Sequence, residues 1–175
     1  MKTLSKTAAK TLDILTDCLN NPGDSKKIDT SSYMAVHVEC IGNAPEAGPF
    51  KGSPLFSVAH YFMQNGDMCC DPDMVFVRVN SGAYFPVSFQ QAIPPVFQEA
   101  IDLRDGRYFP GRVRDLCSFS TTWMRNIKDQ QDLRAVKKTP APVVETVEAP
   151  APVEAPAQSE SVFHLSTGPQ LSLAL

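Results

Sequence analysis

Met74-Val75-Phe76-Val77-Arg78-Val79, then Asn80-Ser81-Gly82, then Ala83-Tyr84-Phe85-Pro86-Val87-Ser88-Phe89 is the stretch that decides the fold class. Both outer runs are rich in valine and aromatic residues, which suit a pleated, half-buried surface. The Asn-Ser-Gly between them favours a tight reversal. Two such runs joined so closely make an antiparallel hairpin. Pro86 cannot donate to a ladder, which predicts an edge position for the second strand. Upstream, Met68 to Cys70 reads as a short strand and Asp71-Pro72-Asp73 as the turn into Met74, extending the hairpin to a meander.

Outward from the meander, Tyr33 to Ile41 alternates Met34, Val36, Val38 and Cys40 with Ala35, His37 and Glu39, the period of a strand. A polar loop from Asp24 to Ser32 precedes it. Leu4, Ala8, Leu12, Leu15 and Leu19 form one apolar stripe, so Leu4 to Asn20 is expected as a helix, stopped by Pro22-Gly23. Gly42 to Gly52 is a Gly/Pro-rich connection. Pro54 to Gln64 is expected as a second helix, with Ser53 as N-cap, Pro54 in the first turn, Leu55, Val58, Ala59 and Phe62 buried, and Asn65-Gly66 ending it. Gln90 to Leu103 reads as a short helix entered through Pro94-Pro95. Val113 to Leu133 reads as a longer one, with Leu116, Phe119 or Ser120, Trp123 and Ile127 at helical spacing. The expected class is α+β: a small antiparallel sheet packed with helices over residues 1–135, followed by a disordered Pro/Ala-rich tail.

The composition bears on partners. The chain has 175 residues, 43% of them hydrophobic, enough for one modest core. Up to Lys138 there are 16 basic and 15 acidic residues, a net of +1, while beyond it only Glu145, Glu148, Glu154 and Glu160 are charged, a net of −4. A near-neutral body argues against a dominant nucleic-acid surface. Five irregularly spaced cysteines without paired CxxC units argue against a zinc module. The amphipathic N-terminus and the lack of a spanning apolar run predict a reduced, cytoplasmic protein with no membrane contact. From Val136, prolines at 140, 142, 150, 152 and 156 alternate with Ala, Val and Glu, so residues 136–169 are expected to be a linker that buries too little to order itself. At about 5–6 Å × √n, such a linker would separate its ends by roughly 30–35 Å.

Three groups of residues carry candidate chemistry. His60, Asp67, Asp71 and Asp73 place four metal-ligating or acid/base groups within 14 positions, as a metal-dependent nuclease or other hydrolase centred on His60 and Asp71 would need. The plainer alternative makes Asn65-Gly66-Asp67 and Asp71-Pro72-Asp73 ordinary turns and His60 a local polar contact. Arg104, Arg107, Arg112 and Arg114, interleaved with Tyr108 and Phe109, suit single-stranded nucleic acid or phosphate, though a solvated loop yields the same letters. Adjacent Cys69 and Cys70 point to opposite faces of a strand and read as two half-buried thiols. No cofactor is implied.

The third group is the terminal peptide Gln170-Leu171-Ser172-Leu173-Ala174-Leu175. An apolar cluster beyond a linker calls for a partner, or else it folds back as a final strand. The peptide resembles the sliding-clamp-binding motif of bacterial replication and repair proteins: Gln-Leu-(Ser/Asp)-Leu, then Phe or any residue and Leu. Gln170, Leu171, Ser172, Leu173 and Leu175 all fall on that pattern, with Ala174 in the free place. The resemblance implies that Leu173 and Leu175 enter one apolar pocket of the bacterial DNA polymerase III beta clamp. DNA itself is a second candidate partner.

The body also resembles a domain family of plasmids and integrated mobile elements for which no activity is known. Its pattern of His-Tyr, two residues, Gln-Asn-Gly-Asp, then Asp-Pro-acid-Met is met by His60 to Asp67 and Asp71 to Met74, and its aromatic-Pro-Val strand by Tyr84 to Gln90. Together the resemblances imply a mobile-element accessory protein acting in, or interfering with, DNA replication or repair. A hydrolase and an inhibitor of a host defence protein are the alternatives.

Overall fold

A computed structural model describes residues 1–133, and the linker expected over 136–169 and the peptide 170–175 lie outside the described residues. Six strands form one antiparallel sheet in the order β1-β2-β3-β4-β5-β6, each strand beside its sequence neighbour. They are β1 Ser25–Ile28, β2 Val36–Asn43, β3 Pro54–Gln64, β4 Asp67–Arg78, β5 Tyr84–Gln91 and β6 Val96–Glu99. Helices α1, Lys6–Leu15, and α2, Pro110–Gln130, precede and follow the sheet. The fold is α+β.

Both helices lie on one face. Ser5 caps α1 by accepting from the Ala8 amide at 3.2 Å. Ala8, Leu12 and Leu15 are then fully buried, with Leu4 and Leu19 nearly so, as the stripe predicts. Lys26 closes the other end of α1, its ammonium donating to the carbonyls of Ile14 and Asp17 at 3.1 and 3.0 Å. On α2, Ser120 takes the buried position and Phe119 is left partly exposed. The Ser120 hydroxyl donates to Leu116 O at 2.7 Å, which lets a polar residue face Met74. Rings stitch α2 to the sheet: Phe89 to Phe119, Phe119 to Trp123 and Trp123 to His60, with centroids 5.5, 5.8 and 5.6 Å apart. Val36, Val38 and Cys40 of β2 face this core, as their alternation predicts, whereas Met34 lies outside the strand and is exposed.

Five elements differ from expectation. Pro54 to Gln64 is not a helix but the strand β3, hydrogen-bonded on both sides. Leu55, Val58, Ala59 and Phe62 fit a 3.6 period, yet Phe56, Val58 and His60 fit a period of 2, and flanking strands decide between them. Asn65-Gly66 is therefore a hairpin turn, with φ of 53° and 93° between the paired residues Gln64 and Asp67. Asp71-Pro72-Asp73 is not a turn either. Ala59 pairs with Asp73 and Tyr61 with Cys70, so two residues of β4 bulge opposite His60 and the strand runs on. The bulge accommodates Pro72, which has no N–H to give the ladder. Gln90 to Leu103 holds no helix but the edge strand β6, and part of the expected polar loop is β1. Pro86 lies on an interior strand, at a second bulge where Phe76 pairs with Pro86 and Val75 with Ser88. Pro86 itself has no partner in β6, which pairs only with Ser88 to Gln91 of β5.

Candidate functional site

The sequence-predicted residues separate in the fold. His60 is buried on the helix-covered face, its Nδ1 donating to Ala35 O at 2.9 Å and its ring edge-on to Trp123. Asp73 lies on the other face, accepting from the Ser57 hydroxyl at 2.7 Å. Asp71 is exposed in the bulge and Asp67 is exposed beside the hairpin turn. Among the described residues no three His, Cys, Asp or Glu side chains come together as a metal would require. His60 is a core residue with its polar atom satisfied.

Three of the four clustered arginines are paired with carboxylates of their own segment. Arg104 makes a forked pair with Asp102, Nε to Oδ1 at 3.0 Å and Nη2 to Oδ2 at 2.7 Å, and its amide adds a third bond. These donors hold the Asp102 carboxyl down at about 2. Arg107 is bound to Asp105 at 2.6 Å, and Arg114 lies 3.8 Å from Asp115. Arg112 donates to Glu99 O at 2.9 Å and stacks on Phe109. Arg104, Arg107 and Arg114 thus each have a carboxylate beside them, while Arg112 rests on a backbone carbonyl and a ring.

What the fold does assemble is the sheet face away from the helices. Two cross-strand rows run over all six strands. One is Lys27, His37, Ala59, Asp73, Gln90 and Phe97, each paired directly with the next. The other is Ser25, Glu39, Ser57, Val75, Ser88 and Glu99. Small side chains dominate the middle, and Ala59 forms a floor 1% exposed. Tyr61 stands edge-on to His37 with centroids 5.0 Å apart. Lys27, His37, Glu39, Ser57 and Tyr61 line a cleft of about 210 Å³. The far end of the face is closed by the loop between β2 and β3, which lays Phe50 on Phe85 at 5.5 Å beside the paired Leu55 and Val77.

The electrostatics of the face follow from partial burial. Desolvation raises the Asp73 carboxyl above its ordinary value, with Glu39 adding to the rise and the Ser57 hydroxyl opposing it. Burial likewise lowers the His37 imidazolium, helped by Lys27, and raises the Tyr61 phenol, helped by Asp73. The lowered His37 value favours its neutral form, which leaves Glu39 and Asp73 as the acidic groups beside it. The Ser57 hydroxyl donates directly to the Asp73 carboxylate.

Of these residues, sequence reasoning placed only Asp73 among its candidates. His37 and Glu39 were legible as the polar side of β2, but Ser57 and Tyr61 were hidden by reading β3 as a helix. Cys69 and Cys70 are half-buried free thiols, as expected, and the other three cysteines are also unbridged.

The fold and site define an α+β protein with a one-sided sheet: one face a core, the other a polar platform. The chain belongs to the DUF6908 family of domains of unknown function, whose model matches residues 7–133. No curated protein and no solved structure matched the chain. No helix of the described residues is long and apolar enough to cross a membrane.

Proposed function

We propose that this chain is a sliding-clamp-associated accessory protein of a bacterial mobile element, addressed to the DNA polymerase III beta clamp by Gln170, Leu171, Ser172, Leu173 and Leu175. One observation carries the reading: the family match ends at Leu133, 37 positions before a peptide that fills every required place of the clamp motif. Binding through it leaves the sheet face and the arginine loop free to act on, or to block, what else assembles on the clamp.

A six-residue peptide buries little area and must be ordered on binding, so affinity should be about micromolar, roughly −8 kcal/mol. Leu173 and Leu175 should each contribute about 1.5–3 kcal/mol through apolar burial. Titration of purified clamp with a synthetic Thr167–Leu175 peptide, beside its Leu173→Ala/Leu175→Ala version, tests this. At least a tenfold loss is expected on substitution. Equal binding of both peptides, or of neither, would remove the clamp from the account.

A further inference from the structure

We propose that the uncovered face of the sheet is a docking surface for a Lys/Arg-bearing segment of a partner protein, held by Glu39, Asp73 and the His37–Tyr61 ring pair. The inference is independent of the clamp peptide, which lies in another part of the chain.

Charge decides the sign of the partner. Around the cleft the two rows carry two carboxylates, Glu39 and Asp73, against one ammonium, Lys27, and that ammonium is already bound to Asp29 at 2.7 Å, while Glu99 at the far end lies beside Arg104. The contrast is local, because the chain up to Lys138 is close to neutral. Phosphate is repelled from such a face and a guanidinium or ammonium is drawn to it. The residues after Lys138 hold four glutamates and no Lys or Arg, so the chain's own tail has the wrong sign.

Geometry decides the size. A cleft of about 210 Å³ is smaller than the ~300–1,000 Å³ that small-molecule sites occupy, but it suits one long side chain. The Ala59 floor and the hydroxyls of Ser25, Ser57 and Ser88 let a partner backbone approach closely. The His37 and Tyr61 rings offer an apolar wall for an alkyl stem and a π-face for its charged head. Asp73 accepts one bond from Ser57 and keeps lone pairs for a second donor. Its half-buried carboxylate, poorly solvated while empty, gains most from a cation.

The test uses the full chain and a fluorescent twelve-residue peptide of alternating arginine and threonine, read by anisotropy at two salt concentrations. Saturable, salt-weakened binding is expected. Glu39→Gln/Asp73→Asn should weaken it at least tenfold, while Asp115→Asn/Asp129→Asn on α2, an equal charge change, should leave it within twofold. If the first pair unfolds the chain by circular dichroism, Glu39→Lys alone, at an exposed position, should give the same loss. Three results would overturn the proposal: no saturation with the arginine peptide, equal losses from the two double variants, or sedimentation showing a dimer that Glu39→Gln/Asp73→Asn disperses.

Discussion

Tyr84 shows how one side chain ties the sheet to α1. It is fully buried, and its hydroxyl meets Thr16 Oγ1 at 3.1 Å and donates to Asp13 Oδ1 at 3.0 Å, while the Leu4 amide bonds its carbonyl. Arg78 lies 3.4 Å from the same Asp13 oxygen. Burial pushes the phenol up to about 12, with Thr16 opposing and Asp13 adding to the shift. Tyr84→Phe keeps the ring and loses the bonds, so it should cost about 1–2 kcal/mol at neutral pH. The sign with pH is fixed by the raised value. The hydroxyl's contribution is fully present below the unfolded value of 10.0 and disappears as pH rises towards about 12. Thermal melts of both proteins from pH 7 to 11 should therefore converge at the alkaline end. A constant gap would show that the hydroxyl is not buried as described.

Between elements, the joint that closes the domain is Gln131. It is 2% exposed at the end of α2. Its Nε2 donates to Met34 O at 3.0 Å, its Oε1 accepts from the Thr30 amide at 3.0 Å, and its own carbonyl accepts from Thr30 Oγ1 at 2.7 Å. Gln131→Ala removes the side-chain bonds that tie the end of α2 to the β1–β2 loop and should destabilise by about 1–2 kcal/mol in urea denaturation. A change below about 0.5 kcal/mol would mean that water replaces those bonds. Nothing in the sequence marks this glutamine. Elements with one unambiguous period were legible: the leucine stripe of α1, the alternation of β2, the hairpin from Met74 to Phe89 and the spacing of α2. β3 was not, because its apolar residues satisfy two periods and its ends carry helix-like signals. β6 was hidden behind Pro94 and Pro95. The candidate site was lost with β3, since cross-strand rows exist only once every register is known. The arginine loop was legible as letters, but its ion pairs depended on Asp102 and Asp105 folding back onto their neighbours.

At the scale of the whole molecule, the account divides labour along the chain. Residues 7–133 make a family domain with one sheet face buried under two helices and the other polar and open, and the peptide proposed to bind the clamp follows later in the sequence. If the peptide alone makes the contact, clamp binding should leave the sheet untouched. Hydrogen–deuterium exchange on the full chain, with and without saturating sliding clamp, measures this directly. The account predicts slowed exchange at Gln170 to Leu175 and unchanged exchange in β1 to β6. Protection over β2 to β4 with an unaffected C-terminal peptide, or no protection anywhere, would contradict it.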